Sequence, residues 1–392
     1  GNLTTEALEV VSGINTFDGD VSAFTASISG GEANFLQGAT ISQLSVMGGV
    51  LDVTSTLDVD IFFDWNGGAL RGAGTLTVDG VGSGTTSIFG VAPRSLTDLD
   101  LVLKDKIFWD EGDITMSGDA AISIDGTLDI GSGLANRSIF NGGLNGGSVG
   151  PTFNITSGAT VDQRSPAFIQ IAVPTNNQGR INAISGELAL TGGGTSPGAF
   201  SVDAGAILRF EDISGGGGHT LSGPIGGFGD VFFSGGGTAA LFDDGGANSY
   251  SVDQTTVDGA SVQFAQFIGQ PVITMEAING GSLNLAANVT LDNLIARTGA
   301  AIDVGDSVSL GTLELDGASV EGPGTINVAT LTLNAAATLD ADVITDTLES
   351  NFGDLSGSGT TTVLTSASLS GTMSGTGQTI IGTGAQATVN SF

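Results

Sequence analysis

The chain lacks several residues on which common protein chemistry depends. Its 392 residues include no Cys, one His, two Trp and one Tyr. Without Cys there is no disulfide, no thiol nucleophile, no cysteine zinc site and no iron–sulfur cluster. Because His219 is the single histidine, a histidine cluster is excluded, and any catalytic triad would have to use that residue.

Positive charge is also scarce. Nine Lys and Arg stand against 41 Asp and Glu, which gives a formal net charge of −32. Binding to nucleic acid or to an anionic membrane surface needs clustered cations, so we expect neither partner. No apolar run approaches the roughly 18 residues of a membrane-spanning helix. The chain starts at Gly1 without a basic and apolar leader, so we expect that any signal peptide has been removed or lies outside this sequence.

Glycine and short alternating runs dominate what is present. Gly accounts for 65 residues, and apolar residues for 40%, which is enough to build a core. Runs such as Thr75–Val78, Ile122–Asp125 and Leu331–Asn334 alternate in polarity and are bounded by Gly, Asn or Asp. This pattern predicts β-strands. The strands are too short and too closely spaced for a sandwich, which favours a solenoid.

Two apolar columns repeat in step. Leu283, Ile302, Val320 and Leu339 are separated by 19, 18 and 19 residues, and a second column consists of Leu294, Leu313, Leu331 and Leu348. Leu44, Val46 and Leu51 recur 19 residues later as Phe63, Trp65 and Leu70. We therefore predict an all-β fold, a parallel β-helix (β-solenoid) with about 19 residues and about three short strands per coil. About 20 such coils, about 4.8 Å apart, would form an elongated rod roughly 95 Å long.

The same patterns predict a domain organisation. Residues 1–39 are more charged and less repetitive, so we expect an N-terminal cap or subunit-contact segment, followed by a β-helix repeat region over 40–392. Glycine-dense residues 131–260 predict irregular coils. Asn351–Val363 matches Asn66–Val78 at eight positions with a displacement of 285, so we expect a second copy of a long repeat to start near residue 350.

The segment Phe63–Val78 resembles the W-x-G-G-x-L-x-G-x-G-T-L-T-V repeats of large secreted bacterial β-helix proteins. Asn182–Gly194 and Ala204–Phe210 resemble further segments of such proteins, which include autotransporter passengers and filamentous-haemagglutinin-like adhesins. The resemblance implies an extracellular stalk, adhesin or fibre at the cell surface. It supplies no catalytic residues, so we expect a protein that is not an enzyme.

Two places invite a catalytic interpretation. His219 follows a run of four Gly, but no acidic residues precede it in the pattern of a polygalacturonase, so we expect a bend residue. Trp109–Asp113, close to Lys104 and Lys106, is where acids, bases and an aromatic residue combine, as a lyase that binds calcium would require. We expect this segment to be a solvated loop or coil edge. The sequence therefore predicts no catalytic, cofactor-binding or metal-binding residue.

We expect no cofactor, with weak calcium binding as the alternative that the sequence leaves open. Asp18–Asp20, Asp243–Gly246 and Asp316-Gly317 combine Asp with Gly, as turns alone would also select. Neither the calcium-binding nonapeptide repeat nor an EF-hand loop occurs. Thr-x-Thr pairs such as Thr330/Thr332 would suit an ice-binding face only if Thr recurred at one coil position, and we expect that these pairs do not line up.

These observations support two hypotheses. The first is a secreted, non-catalytic structural protein whose copies stack head-to-tail into a fibre, sheath or stalk, because residues 371–392 carry no charged side chain and predict open strands. The alternative is an adhesin that binds surface glycans, or a polysaccharide-active β-helix enzyme. The 20 Phe but few Trp and Tyr predict core filling more than sugar stacking.

Overall fold

The computed structural model describes residues 1–80, 86–131, 133–142, 150–211, 218–236, 238–241, 250–264, 272–285, 289–351 and 353–389. Over these ranges all regular secondary structure is β-strand. No described segment forms a helix that is long and apolar enough to span a membrane. The chain divides into two compact units, Gly1–Ala206 and Ile207–Phe392.

The described residues of the first unit form 25 strands. They are β1 (Leu3–Val10), β2 (Ile14–Phe17), β3 (Val21–Ile28), β4 (Glu32–Phe35), β5 (Ala39–Val46), β6 (Val50–Val53), β7 (Thr56–Trp65), β8 (Gly68–Arg71), β9 (Thr75–Val78), β10 (Thr86–Ile88), β11 (Arg94–Thr97), β12 (Asp100–Leu103), β13 (Lys106–Trp109), β14 (Ile114–Ser117), β15 (Ala121–Ile124), β16 (Thr127–Ile130), β17 (Arg137–Asn141), β18 (Thr152–Ile155), β19 (Thr160–Gln163), β20 (Phe168–Ile171), β21 (Thr175–Asn177), β22 (Arg180–Ala183), β23 (Glu187–Leu190), β24 (Gly194–Ser196) and β25 (Ala199–Val202).

Strands of the first unit pair in parallel with their copies in neighbouring coils of that unit. β1 pairs with β3 and β3 with β5, while the short strands β2, β4 and β6 form a second ladder. The first coils thus combine one long and one short strand, and within this unit three strands per coil appear from β9 onward. The step recognised in the sequence is correct, because Leu44 pairs with Phe63, Val46 with Trp65 and Leu51 with Leu70.

The second unit contains the remaining strands. They are β26 (Ile207–Glu211), β27 (His219–Leu221), β28 (Ile225–Gly227), β29 (Asp230–Ser234), β30 (Thr238–Leu241), β31 (Tyr250–Ser251), β32 (Gln254–Asp258), β33 (Ser261–Phe264), β34 (Val272–Ile278), β35 (Ser282–Leu285), β36 (Val289–Arg297), β37 (Ala301–Val304), β38 (Ser307–Asp316), β39 (Ser319–Glu321), β40 (Thr325–Leu333), β41 (Ala337–Leu339), β42 (Asp342–Ser350), β43 (Leu355–Ser356), β44 (Thr360–Leu369), β45 (Gln378–Ile381) and β46 (Gln386–Val389).

Both predicted apolar columns are confirmed in this unit. Leu283 pairs with Ile302, Ile302 with Val320 and Val320 with Leu339. The second column runs through Leu294, Leu313, Leu331 and Leu348 in the same way. All eight side chains are buried. Because parallel in-register pairing places one side chain above the next, each column becomes a continuous strip of core. The prediction of an all-β, parallel β-solenoid is therefore confirmed.

Coil length varies more than a fixed period of 19 suggests. Leu3 pairs with Val21, whereas Gly68 pairs with Arg94 and Arg137 with Ile169. Register is kept in each of these pairs, so the ladders tolerate coils of different length. Residues 1–39 already form coils of this parallel kind, and the boundary proposed at residue 40 stays a prediction.

A Gly-x-Gly corner occurs at both copies of the matched segment. Gly72 and Gly357 have φ angles of +115° and +121°. A Cβ atom at either position would lie 2.2 Å from the carbonyl oxygen of Val53 or 2.1 Å from that of Leu339. The corner therefore requires glycine for both its backbone conformation and its close approach to the preceding coil. The two segments share this local geometry, while the longer repeat remains a prediction.

Candidate functional site

An outward column of the first unit brings polar side chains of successive coils together. Phe108 pairs with Asp129, Asp129 with Asp162 and Asp162 with Asn182. We call these four residues, with Lys106 and Arg164, the charged ladder. Parallel pairing places equivalent side chains about 4.8 Å apart, so the two carboxylates require cations or amides between them.

Those partners are supplied by the ladder itself. The Lys106 Nζ atom lies 3.3 Å from Asp129 Oδ2, and Arg164 Nε lies 3.5 Å from Asp129 Oδ1. Arg164 Nη2 donates to Asp162 Oδ2 at 2.6 Å, which raises the pKa of Arg164. Asn182 Nδ2 donates to Asp162 Oδ1 at 2.7 Å. All four carboxylate oxygens have partners, so the ladder is internally neutralised and offers neither a free base nor a ready cation site.

The structure separates the predicted cluster around Trp109. The Trp109 side chain is buried, and its indole N–H donates to the Gly112 carbonyl at 2.9 Å. Glu111 and Asp113 lie exposed between β13 and β14, as expected for a solvated loop. The aromatic residue beside the cations is the half-buried Phe108, whose ring centroid lies 4.4 Å from Lys106 Nζ. Acids, bases and Trp109 therefore do not form one catalytic face.

Two buried arginines at the adjacent corner escaped the sequence analysis. Arg94 is 2% exposed and Arg137 is fully buried. The Arg94 guanidinium donates to the carbonyls of Trp65, Gly90 and Glu111, and burial lowers its pKa to about 10. Arg94 thus remains charged at neutral pH and joins three coils. In the sequence, each arginine takes a position in a strand-like alternation of polar and apolar residues. Hydropathy alone would nevertheless predict that an arginine side chain lies at the surface.

Asp64 belongs to the same outward column as the charged ladder, because it pairs with Ser87, which in turn pairs with Phe108. Its Oδ1 atom accepts a 2.5 Å hydrogen bond from the Ser87 hydroxyl. Burial raises the pKa of Asp64 above its ordinary value of 3.8, and the bond from Ser87 partly opposes this. The folded state therefore holds the proton more tightly than the unfolded chain, and this stabilisation is present below pH 3.8 and lost as the pH rises through the raised pKa.

The free energy of unfolding of the wild type should therefore lose the contribution of Asp64 as the pH rises from about 4 to 7. We expect this part of the loss to be absent in Asp64→Asn. The asparagine keeps an acceptor for Ser87 but does not acquire charge. Thermal unfolding of the wild type and the variant at both pH values measures the difference, with exposed Asp60→Asn as the control. Identical pH dependence in the wild type and Asp64→Asn would contradict the assignment.

The remaining candidates of the sequence fall into structural roles. His219 is not a bend residue as expected, but a buried residue of β27 whose ring lies edge-on to Phe210 at 5.1 Å. Asp18 Oδ1 accepts from the N-terminal amine, and Gly317 follows the last residue of β38 in a turn with φ +72°. Asp243–Gly246 lie outside the described residues. In the described ranges, no three acidic or histidine residues group as metal ligands.

Thr330 of the Thr330/Thr332 pair lines up with a Thr in each neighbouring coil, but the pair itself does not recur. Thr312, Thr330 and Thr347 pair in register and form an outward row. The neighbouring row, two residues further along, consists of Glu314, Thr332 and Glu349. An ice-binding face needs regular rows of hydroxyls. In the second row, hydroxyl and carboxylate side chains alternate, so this requirement is not met. The aligned row is therefore a hydrogen-bonding ladder, as the 2.6 Å bond from Thr312 to Asn293 illustrates.

The first and last coils expose strand edges of different character. β45 and β46 pair with β44, and no described strand pairs with their other edge. Met373, Ile380 and Val389 of this last coil are 46%, 45% and 72% exposed, and no charged side chain follows Asp354. At the other end, β1 pairs with β3 alone among the described strands.

That first edge is acidic. Glu6, Glu9, Asp18 and Asp20 are all exposed. Two first coils brought face to face would place these carboxylates against each other, whereas a first coil against a last coil meets no charged side chain. Contact between the first coil of one copy and the last coil of another, a heterologous contact, is therefore free of charge repulsion.

No protein-family model matches the chain, and no curated protein and no solved structure shows significant similarity to it.

Proposed function

We propose that the protein is a non-catalytic extracellular structural protein whose copies stack head-to-tail into a cell-surface fibre, sheath or stalk. The carrying observation is the edge formed by β45 and β46, which is uncharged, exposes Ile380 and Val389, and is unpaired by any described strand. Exposed edges of this kind recruit further strands. The resemblance of Phe63–Val78 to repeats of secreted β-helix proteins supports the extracellular setting.

The chemistry of the outer surface agrees with a structural role. The charged ladder uses its carboxylates internally, and Trp109 is turned into the core. A net charge of −32 repels the sides of neighbouring molecules, while the uncharged last coil stays available for end contacts. This distribution favours growth along the coil axis over lateral clumping.

Sedimentation velocity and electron microscopy of the purified chain test the proposal. We expect linear oligomers that lengthen with protein concentration. Ile381 faces inward in the last coil, opposite Val363 of β44, so Ile381→Lys would place a charge in the contact and weaken association about 100-fold or more. Leu364→Lys, at a half-exposed position just outside the contact, is the matched control. Compact monomers at every concentration and salt would contradict the proposal.

A further inference from the structure

Three consecutive coils of the first unit carry longer loops at one corner. The turn from β5 to β6 consists of residues 47–49, and the turn from β7 to β8 consists of residues 66–67. At the same position of the next coils, the strands are joined by residues 89–93, 110–113 and 131–136. Since the shorter turns already close this corner, the ladders do not require the extra residues. Insertions on one face of a repeat fold often form its binding face.

The backbones of these loops pack directly on one another. A Cβ atom on Gly112 would lie 2.4 Å from the carbonyl oxygen of Gly90, and one on Gly133 would lie 2.8 Å from that of Asp110. The loop 110–113 therefore lies between the other two. Side chains that point outward from the three loops are neighbours on one surface.

Two buried arginines fix these loops from the inside. Arg94 Nη2 donates to the Gly90 carbonyl at 2.6 Å and to the Glu111 carbonyl at 2.5 Å, and so joins the first loop to the second. Arg137 is fully buried, and its Nη1 atom donates to the Gly131 carbonyl of the third loop at 3.3 Å. Each of the three loops is thus held by a guanidinium beneath it.

These arginines carry a cost that apolar side chains would avoid. The column of Arg94 continues with Ile114 and Ile139, so aliphatic side chains satisfy the packing at this position in the next two coils. A buried guanidinium loses its hydration, and Arg137 Nε and Nη2 are buried without a hydrogen-bond partner among the described residues. Loops that are held in one conformation lose less entropy on binding a partner, which gives a reason for this cost.

The outer surface of the loops combines apolar side chains with carboxylates. Val91 and Leu134 are 85% and 84% exposed, the highest values among the large apolar side chains described. Glu111 and Asp113 are exposed on the loop between them. Asp113 accepts a bond from the Ser138 backbone N–H, and no ion pair described in the first unit uses either carboxylate. We call Val91, Glu111, Asp113 and Leu134 the corner surface.

We propose that the corner surface binds a polypeptide segment of another protein in which a Lys or Arg stands between apolar side chains. The acidic loop then meets the cation, and the loops on either side meet its apolar neighbours. Arg94 and Arg137 reduce the negative potential here, but they donate to backbone carbonyls and not to these carboxylates. This binding is additional to the proposed structural role and does not require copies to stack.

Other occupants fit the corner surface less well. A second copy of this chain has a net charge of −32, which opposes its approach to an acidic surface. An uncharged glycan brings no cation, and the corner surface contains no Trp or Tyr that would stack on a sugar ring. A polypeptide supplies both the cation and the apolar side chains.

Fluorescence anisotropy with the labelled peptide Leu-Lys-Leu-Lys-Leu as the probe tests the apolar contacts. Val91→Ser combined with Leu134→Ser should weaken binding of the probe about 10-fold. Phe24→Ser is the control, because Phe24 is 54% exposed on the outside of β3, away from this corner. All three positions are exposed, so thermal unfolding should be nearly unchanged in these variants.

The carboxylates are tested with a second pair of variants. Glu111→Gln combined with Asp113→Asn should weaken binding of the probe about 10-fold at low salt, and by less at high salt, where the attraction is screened. Asparagine at position 113 keeps an acceptor for the Ser138 N–H. Asp58→Asn combined with Asp60→Asn changes the net charge equally at exposed positions of β7 and should have little effect.

The outcomes decide on this surface independently of stacking. Equal weakening by the two charge variants would show attraction to the acidity of the whole chain and would overturn the proposal. The same holds if Phe24→Ser matches the Val91 and Leu134 variant, if a peptide with Gln in place of Lys binds equally, or if the wild type does not bind the probe at millimolar concentration. Binding of dextran in place of the peptide would identify a glycan site instead. A monomeric wild type that binds the probe at the corner surface would contradict head-to-tail stacking and support this site.

Discussion

Arg94→Ala is expected to lower the free energy of unfolding by about 3–5 kcal/mol. The Arg94 guanidinium is buried and donates to carbonyls of three coils: Trp65 at 3.2 Å, Gly90 at 2.6 Å and Glu111 at 2.5 Å. Removing it deprives the Gly90 and Glu111 carbonyls of this donor, whereas the Trp65 carbonyl keeps its bond from the Phe89 backbone N–H. The loss of hydrogen bonds therefore outweighs the relief of removing a buried charge. Urea unfolding followed by circular dichroism measures the change.

Two variants sharpen this test. Arg94→Lys keeps the charge but presents a single ammonium instead of the planar fork, so it should recover only part of the stability. Arg180→Ala, at an exposed position of β22, should change the free energy of unfolding by no more than about 0.5 kcal/mol. Equal stability of Arg94→Ala and Arg180→Ala would show that the carbonyls find other partners.

Leu331→Ala is expected to lower the free energy of unfolding by about 2–5 kcal/mol. Leu331 is fully buried and lies in register between Leu313 and Leu348. Truncation leaves a gap between two leucines whose backbones are fixed by the strand ladders on both sides. The coil cannot collapse to close the gap without breaking these hydrogen bonds, so the effect should lie in the upper part of that range.

The neighbouring residue provides the control for the column. Thr330 pairs with Thr312 and Thr347 in the same strands but faces outward. Thr330→Ala preserves backbone and core, so we expect a change of at most about 0.5 kcal/mol. If the two alanine variants unfolded at the same urea concentration, the column would not carry the packing assigned to it.

Periodicity in the chain was sufficient to identify the solenoid ladders. Leu283, Ile302, Val320 and Leu339 were recognised as one column from spacing alone, because every coil must present an apolar side chain at the same phase to bury it. Coil length was less predictable. Arg137 and Ile169 pair in register although far more than 19 residues separate them in the sequence, so a fixed period cannot predict where the ladder resumes.

Candidate sites were harder to predict, because residues that are close in the sequence can point to opposite sides of a strand. Trp109 and Lys106 are three residues apart, yet the indole points inward and the ammonium outward, as strand alternation demands. His219 was expected at a bend because four glycines precede it, but it lies in a strand with its ring against Phe210. Local composition cannot identify which neighbour in the preceding coil such a side chain meets.

The amino-acid sequence by itself determined the strand content, the repeating apolar columns and the shortage of chemistry-bearing residues. Each of these depends on residue type and spacing along one chain. Only the tertiary structure decided that Asp129 and Asp162 neutralise their charge with Lys106 and Arg164, that Arg94 joins three coils, and that the loop 110–113 lies between two further loops at one corner. These features depend on which residues of different coils come into register, and that register is set by coil lengths that vary along the chain.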